Sequence, residues 1–325
     1  MSKEYTSALA PALEAFVDFK ATASGNACES LLQFTRSFDR WCRDHGHLTL
    51  DEGAVLGYAR ARLESCDPAK RQYWASALRE LSRWARVFGG MPDAFVLPAG
   101  IGGGRGGRPT PYLLTDREVE AFFGAASSYD DGTPMTWQAT CFFGLMCCCG
   151  LRNCEVMRLA REDFDAGSPH IDVLRSKGHR SRRLAITDDV AQMVSDCDAV
   201  TTDRFGADRR ALLVTGRGSP LNHNAVYRAF GRIWEAAGLP EEKGGARPSP
   251  YAFRHRFAYA NIERWWREGR DVMAMLPYLQ RYMGHSSLES TLWYVHTSPD
   301  FLSSFAGAVS SLDGLLPEVT FRGQA

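Results

Sequence analysis

The sequence predicts a mainly α-helical chain with a small antiparallel β-sheet, an α+β fold in two domains. Three observations lead there. Apolar residues recur at helical spacing through most of the 325 residues, a length sufficient for two cores. The stretch PAGIGGGRGGRPTP holds six glycines and three prolines, too many for regular structure, and divides residues 1–97 from 113–325 with a linker over 98–112. HIDVLR and RRLAI read as short strands, and they flank the turn Ser176-Lys177-Gly178-His179.

Taken in order, ESLLQFTRSFDRWCRDH puts Leu31, Phe34, Phe38 and Trp41 on one helical stripe and Arg36, Arg40 and Arg43 on another face. Thr49 with Glu52 reads as a capping box opening a helix to about Glu64. Asp67 and Pro68 start a third helix, with Trp74, Leu78, Leu81, Trp84 and Phe88 inward and Arg79, Arg83 and Arg86 in a second basic row. Such rows suit a module gripping a phosphate backbone, or are solvated faces. Arg105 and Arg108 in the linker are further candidate phosphate contacts.

Beyond the linker, Thr115 with Glu118 caps a helix, and Thr133-Pro134 opens another that ends at Gly150. Arg152 follows at a helix start, either paired with Glu155 or held toward an anion. The hairpin tip carries Arg175, Lys177, Arg180, Arg182 and Arg183 with no acid, a density that favours an anionic partner. Thr187 caps a helix to about Cys197, ALLV (211–214) reads as a further strand, and Asn222–Ala237 is amphipathic. Ser249-Pro250 begins YAFRHRFAYANIERWW, and the next helix follows Asp271.

Composition excludes several classes. Positive and negative residues number 38 each, so the total charge argues no partner. No apolar run reaches membrane-span length, and MSKEYTSALAPALEAF has no signal-peptide hydrophobic region. Nine cysteines with no CxxC pair argue against a zinc ribbon and for a reducing cytoplasm. Residues 102–107 fit G-x-G-x-x-G, but no strand precedes them and no helix follows, so a dinucleotide site is rejected. No metal-binding carboxylate cluster is present, so neither metal nor cofactor is expected.

The chain is organised around PYLQRYMGHSSLESTLWYVH, residues 277–296. It reads as a helix closed by Gly284, a break holding His285, and a short helix carrying Tyr294, with Ser286 and Glu289 as its capping box. A lone tyrosine here is a core residue. Arg152, Lys177, Arg254, His285 and Tyr294 each sit at a helix end or on a turn, however, where polar groups converge. Arginines and a lysine around a phenol suit nucleophilic attack on a phosphodiester: the forks match its oxygens, and the positive charge matches the transition state.

These motifs resemble the tyrosine site-specific recombinases of the phage-integrase type. GLRNCEVMRLAREDFD (150–165) resembles the first-arginine motif, with Arg152 and the supporting Glu155. SKGHRSRRLAI resembles the hairpin-lysine motif and places Lys177; SPYAFRHRFA resembles the H-x-x-R box and places Arg254; YMGHSSLESTLWYVH resembles the last box and places His285 and the nucleophile Tyr294. One departure is Tyr251, where the family most often has histidine. A phenol donates a hydrogen bond to phosphate but is a poor general base at neutral pH. His285 or water is then the expected acceptor of the Tyr294 proton. His255 reads as a packed helix residue and His296 as structural.

The resemblance implies a core-binding domain over 1–97 and a catalytic domain over 113–325. It also implies cutting and rejoining of double-stranded DNA through a 3′-phosphotyrosyl link, without ATP, metal or cofactor. It implies a tetramer on DNA with exchange of a C-terminal helix, here about 301–316. Other recombinases and DNA-bending proteins are further expected partners, and the bacterial cytoplasm and nucleoid the expected location. The rival readings are a type IB topoisomerase-like enzyme and an accessory DNA-binding protein impaired in cleavage.

Overall fold

The computed structural model describes residues 5–24, 29–63, 65–102, 111–174 and 181–297. Two compact units divide within the glycine-rich stretch. The first holds α1 (Ala10–Ser24), α2 (Glu29–Asp44), α3 (Glu52–Tyr58), which continues as a π-helical turn over Ala59–Leu63, and α4 (Pro68–Val87). Its core packs Phe34, Phe38, Tyr58 and Trp74 together, Phe34 edge-on to Trp74 and Phe38 edge-on to Tyr58, with Leu13, Phe16, Leu78 and Leu81 also buried. Asp67 caps α4 by accepting from the Lys70 N–H at 3.0 Å, as its Asp-Pro start predicts. The cap of α3 differs from expectation. Asp51, not Thr49, accepts the Ala54 N–H at 2.7 Å, because a carboxylate one residue from the helix outcompetes a hydroxyl three away.

The second unit holds α5 (Asp116–Ser127), α6 (Met135–Cys149), α7 (Asn153–Val156), α8 (Asp188–Phe205), α9 (His223–Ala236), α10 (Tyr251–Arg267), α11 (Val272–Met283) and α12 (Glu289–Thr297). Thr115 and Glu118 form the predicted capping box. α6 is apolar on nearly every face because helices cover it on several sides; Phe142 and Phe143 are fully buried, and Phe143 packs against Phe122, Phe230 and Phe253. A smaller core joins the distal half of α10 to α11 and α12 through Tyr259, Ile262, Leu276, Leu279, Met283 and Tyr294.

The sheet has three antiparallel strands in the order β1 (Phe164–Asp165), β2 (His170–Val173), β3 (Arg182–Ala185). Ile171 pairs with Leu184, and both are buried. Three expectations need correction. Residues 211–214 form only isolated bridges, Ala160 with Ala211 and Val214 with Pro220, and the third strand is Phe164–Asp165. α8 runs on to Phe205, held inward by Val194, Cys197 and the fully buried Thr201. α12 begins at Glu289, so Glu289 opens the helix rather than occupying its third position behind a Ser286 cap.

Candidate active site

Two helix ends build the site. α6 closes at Gly150 and α11 at Gly284, both left-handed, with φ 60° and 67°. Glycine is required at each twice over, by backbone sign and by space. A Cβ on Gly150 would stand 2.4 Å from Phe257 Cδ1, and one on Gly284 would stand 2.8 Å from Arg182 Nη1. The C-terminal carbonyls exposed there carry partial negative charge, and the site's arginines are drawn to them.

Arg152 leaves the α6 turn as the N-cap of α7, and one of its Nη atoms donates to the Gly284 carbonyl at 2.8 Å. Arg254, in the first turn of α10, is 1% exposed. Its two Nη atoms donate to the carbonyls of Gly150 and of Met283, the latter at 2.8 Å. One side chain thus ties the ends of α6 and α11 together from a third helix.

Glu155 is the anionic hub. Its Oε2 accepts the Arg152 backbone N–H at 2.8 Å, and its Oε1 accepts Arg152 Nη1 at 2.8 Å. Arg182 grips both carboxylate oxygens, at 3.0 and 2.9 Å, and donates its Nε to the Tyr282 carbonyl at 2.8 Å. Arg254 stands 3.9 Å from the same carboxylate. Three guanidiniums around one carboxylate leave a net positive, largely buried cluster, suited to an anion. Burial, with the Arg152 charge beside it, pushes the Arg254 guanidinium down to about 10, so it stays cationic at neutral pH.

Tyr294, on α12, lies against this cluster and is 3% exposed. Its hydroxyl is 3.2 Å from His255 Nδ1, and the Arg254 guanidinium lies close enough for its charge to act on the phenol. Tyr259 packs edge-on to its ring at 5.5 Å, and the His285 ring lies stacked at 6.0 Å. Burial raises the phenol above its ordinary range, while the Arg254 and Arg152 charges oppose that rise. His285 Nδ1 meets the hydroxyl of the fully buried Thr291 at 2.8 Å, which orients the imidazole. Tyr251 opens α10, is 39% exposed, and stands 5.7 Å from the His255 ring.

Of the residues singled out in the sequence, Arg152, Arg254, His285 and Tyr294 therefore converge, with Glu155 beneath the arginines and Tyr251 at the open side. Lys177, Arg180, Arg105, Arg108 and the segment 301–316 lie outside the described residues. Arg182 is not the free phosphate contact its hairpin position suggests. Its side chain is 9% exposed and is committed to Glu155. Strand alternation carried the signal, since Arg182 shares a face with buried Leu184. In the first unit, Arg79 donates to the carbonyls of Leu97, Pro98, Ala99 and Ile101, and Arg86 to that of Ala94, so both hold the chain after α4. Arg43 pairs with Asp44, Arg36 is 3.7 Å from Glu29, and Arg40 and Arg83 are exposed. His255 was missed. It is i+4 from Tyr251 on the helix, so it shares that residue's face and turns toward Tyr294. Among the described residues no group of three or more His, Cys, Asp or Glu is placed to hold a metal, and no helix is long and apolar enough to cross a membrane.

Residues 113–300 match the phage integrase family. A tyrosine recombinase XerC of Rhodospirillum centenum is 27% identical over 257 residues, covering 78% of this chain and 70% of the relative. In the curated relatives compared, the match spans from 41% to 77% of the relative's length. The fold is similar to that of the XerH site-specific recombinase bound to its difH substrate, with TM-score 0.61 and 17% identity over 94% of this chain and 97% of that one. It is also similar to the Tn1549 transposon integrase in complex with transposon right-end DNA, with TM-score 0.59 and 18% identity over 92% and 99% of the two chains.

Proposed function

This chain belongs to the phage integrase family, and we propose from that premise that it is a site-specific DNA recombinase using Tyr294 as its nucleophile. The observation that carries the proposal is a buried phenol set in the field of the Arg254 and Arg152 guanidiniums, which are themselves fixed by helix-end carbonyls. A phosphodiester brought to that cluster meets cations already fixed by Glu155, Gly150, Met283 and Gly284, so little reorganisation accompanies the reaction.

The Tyr294 oxygen attacks the phosphorus, the bond to the 5′-oxygen breaks, and a 3′-phosphotyrosyl link forms. Arg152 and Arg254 hold the non-bridging oxygens, and His285, oriented by Thr291, donates to one of them. Lys177 on the hairpin gives a proton to the leaving 5′-oxygen. Tyr251, exposed at the rim, donates to the phosphate. A 5′-hydroxyl from a partner strand reverses the steps, and the link conserves the phosphodiester energy. Residues 1–97 clamp the DNA, with Arg40 and Arg83 as exposed phosphate contacts. A tetramer on paired sites, joined by exchange of residues 301–316, completes the proposed assembly.

The test is a duplex nicked so that cleavage releases a short strand and traps the covalent adduct. Wild-type protein is expected to form it, and Tyr294→Phe to bind DNA without forming it. A type IB topoisomerase-like enzyme would instead relax supercoils without a partner site, and an accessory protein would form no adduct.

A further inference from the structure

We infer that His255 is the catalytic base for strand cleavage: its Nδ1, 3.2 Å from the Tyr294 hydroxyl, takes the phenolic proton as the tyrosine oxygen bonds to phosphorus. The inference rests on the recombinase reading and supplies what that reading lacks, an acceptor for this proton where position 251 offers a phenol.

Geometry selects His255 over its neighbours. His285 directs Nδ1 to Thr291, and its ring lies stacked on that of Tyr294 with centroids 6.0 Å apart. Tyr251 stands at the rim, 5.7 Å from the His255 ring. Arg254 acts on the phenol by its charge and can only donate. His255 is wedged between Tyr251 and Trp293, with ring separations of 5.7 and 5.3 Å, which fixes its plane.

The electrostatics keep this acceptor unprotonated, while making it a weaker base than a free imidazole. Among the described residues, the titratable and charged groups around the pair include Arg254, Tyr251 and Tyr259 on the same helix, and Arg152 and His285 from other segments. Burial, and then the Arg254 charge, push the His255 imidazole down to about 4. The ring is therefore neutral at physiological pH, and with its own proton on Nε2 it presents Nδ1 as an acceptor.

The proton moves from Tyr294 Oη to His255 Nδ1, the Oη–P bond forms, and the P–O5′ bond breaks. Imidazolium beside Arg254 is unfavourable alone, so transfer accompanies the negative charge developing on the phosphoryl oxygens. On rejoining, the same proton returns to the departing phenolate. One site thus serves both directions without exchanging protons with solvent.

Single-turnover cleavage of the nicked duplex, from about pH 5 to about pH 9, tests this. Asn places its Oδ1 close to where histidine has Nδ1, so His255→Asn keeps a hydrogen-bond acceptor but cannot take the proton. The expected result is a loss of about 10²-fold at neutral pH with unchanged DNA affinity. Wild-type cleavage is expected to be flat across the range, and the variant's to rise with pH as phenolate becomes available. Should His255→Asn not fold, His255→Ala is read for recovery of rate on adding free imidazole. His255→Asn cleaving as fast as wild type with the same pH profile would overturn the inference and leave the recombinase reading standing. Absence of any adduct from the wild-type protein would instead remove the reading beneath it.

Discussion

Glu155→Gln removes one negative charge from beneath Arg152 and Arg182 while keeping side-chain size. The Glu155 side chain is 4% exposed and accepts three guanidinium hydrogen bonds, at 2.8, 3.0 and 2.9 Å, and a fourth from the backbone N–H of Arg152 at 2.8 Å. The amide accepts through one oxygen only, and its NH₂ must face a guanidinium. Removing one member of a buried ion pair costs about 3–5 kcal/mol. For a unit of this size, that lowers the melting temperature by roughly 6–20 °C. The assay is calorimetric melting, with Glu162→Gln as control. Glu162 is 72% exposed and 3.9 Å from Arg210, so that change is expected to fall within about 1 kcal/mol. Cleavage by Glu155→Gln should drop as well, because both arginine forks lose their alignment. A melting shift no larger than the control's would refute the assignment of Glu155 as the hub.

Three further outcomes are expected. Gly284→Ala forces an L-residue to φ 67° with its Cβ against Arg182, so stability should fall by about 1–2 kcal/mol and cleavage should fall more than DNA affinity, as denaturation and gel-shift measurements would show. Arg79→Ala frees the carbonyls of Leu97, Pro98 and Ala99, and hydrogen exchange of residues 94–101 should speed up while DNA affinity stays constant; unchanged exchange with weakened binding would make Arg79 a phosphate contact. His255 is held neutral when folded, whereas in the unfolded chain it titrates near its ordinary value of about 6.5. The unfolded state therefore binds the extra proton first, and stability falls as pH drops from about 6.5 toward about 4. Denaturant melts of wild type and His255→Asn should diverge in that window, with the variant less acid-sensitive.

What the sequence made legible was local. Thr115 with Glu118, Asp67 with Pro68, and the glycine after α6 each act within a turn, and the structure uses all of them. The three-residue separation of Thr49 and Glu52 gave the right pattern, but Asp51 stood nearer the helix. Arg152, Arg254, His285 and Tyr294 stood out because each sits at an element end within a recognisable motif. The roles of Arg182 and Arg79 were hidden because their partners lie 27 and 18 or more positions away in the chain, and only folding brings those together. A basic residue on a hairpin reads as a ligand contact until the carboxylate facing it is known. His255 was hidden differently. Its helical register was readable, but α12 crossing beside it was not, and that crossing turns a packed imidazole into a partner of the phenol.

The most direct test of the central claim is denaturing electrophoresis of the wild-type protein incubated with a labelled, nicked duplex carrying its own recombination site, alongside Tyr294→Phe. A protein–DNA band that survives denaturant, maps by peptide sequencing to Tyr294 and vanishes in Tyr294→Phe is the predicted result. A band that persists in Tyr294→Phe, or maps to any other residue, would contradict the account.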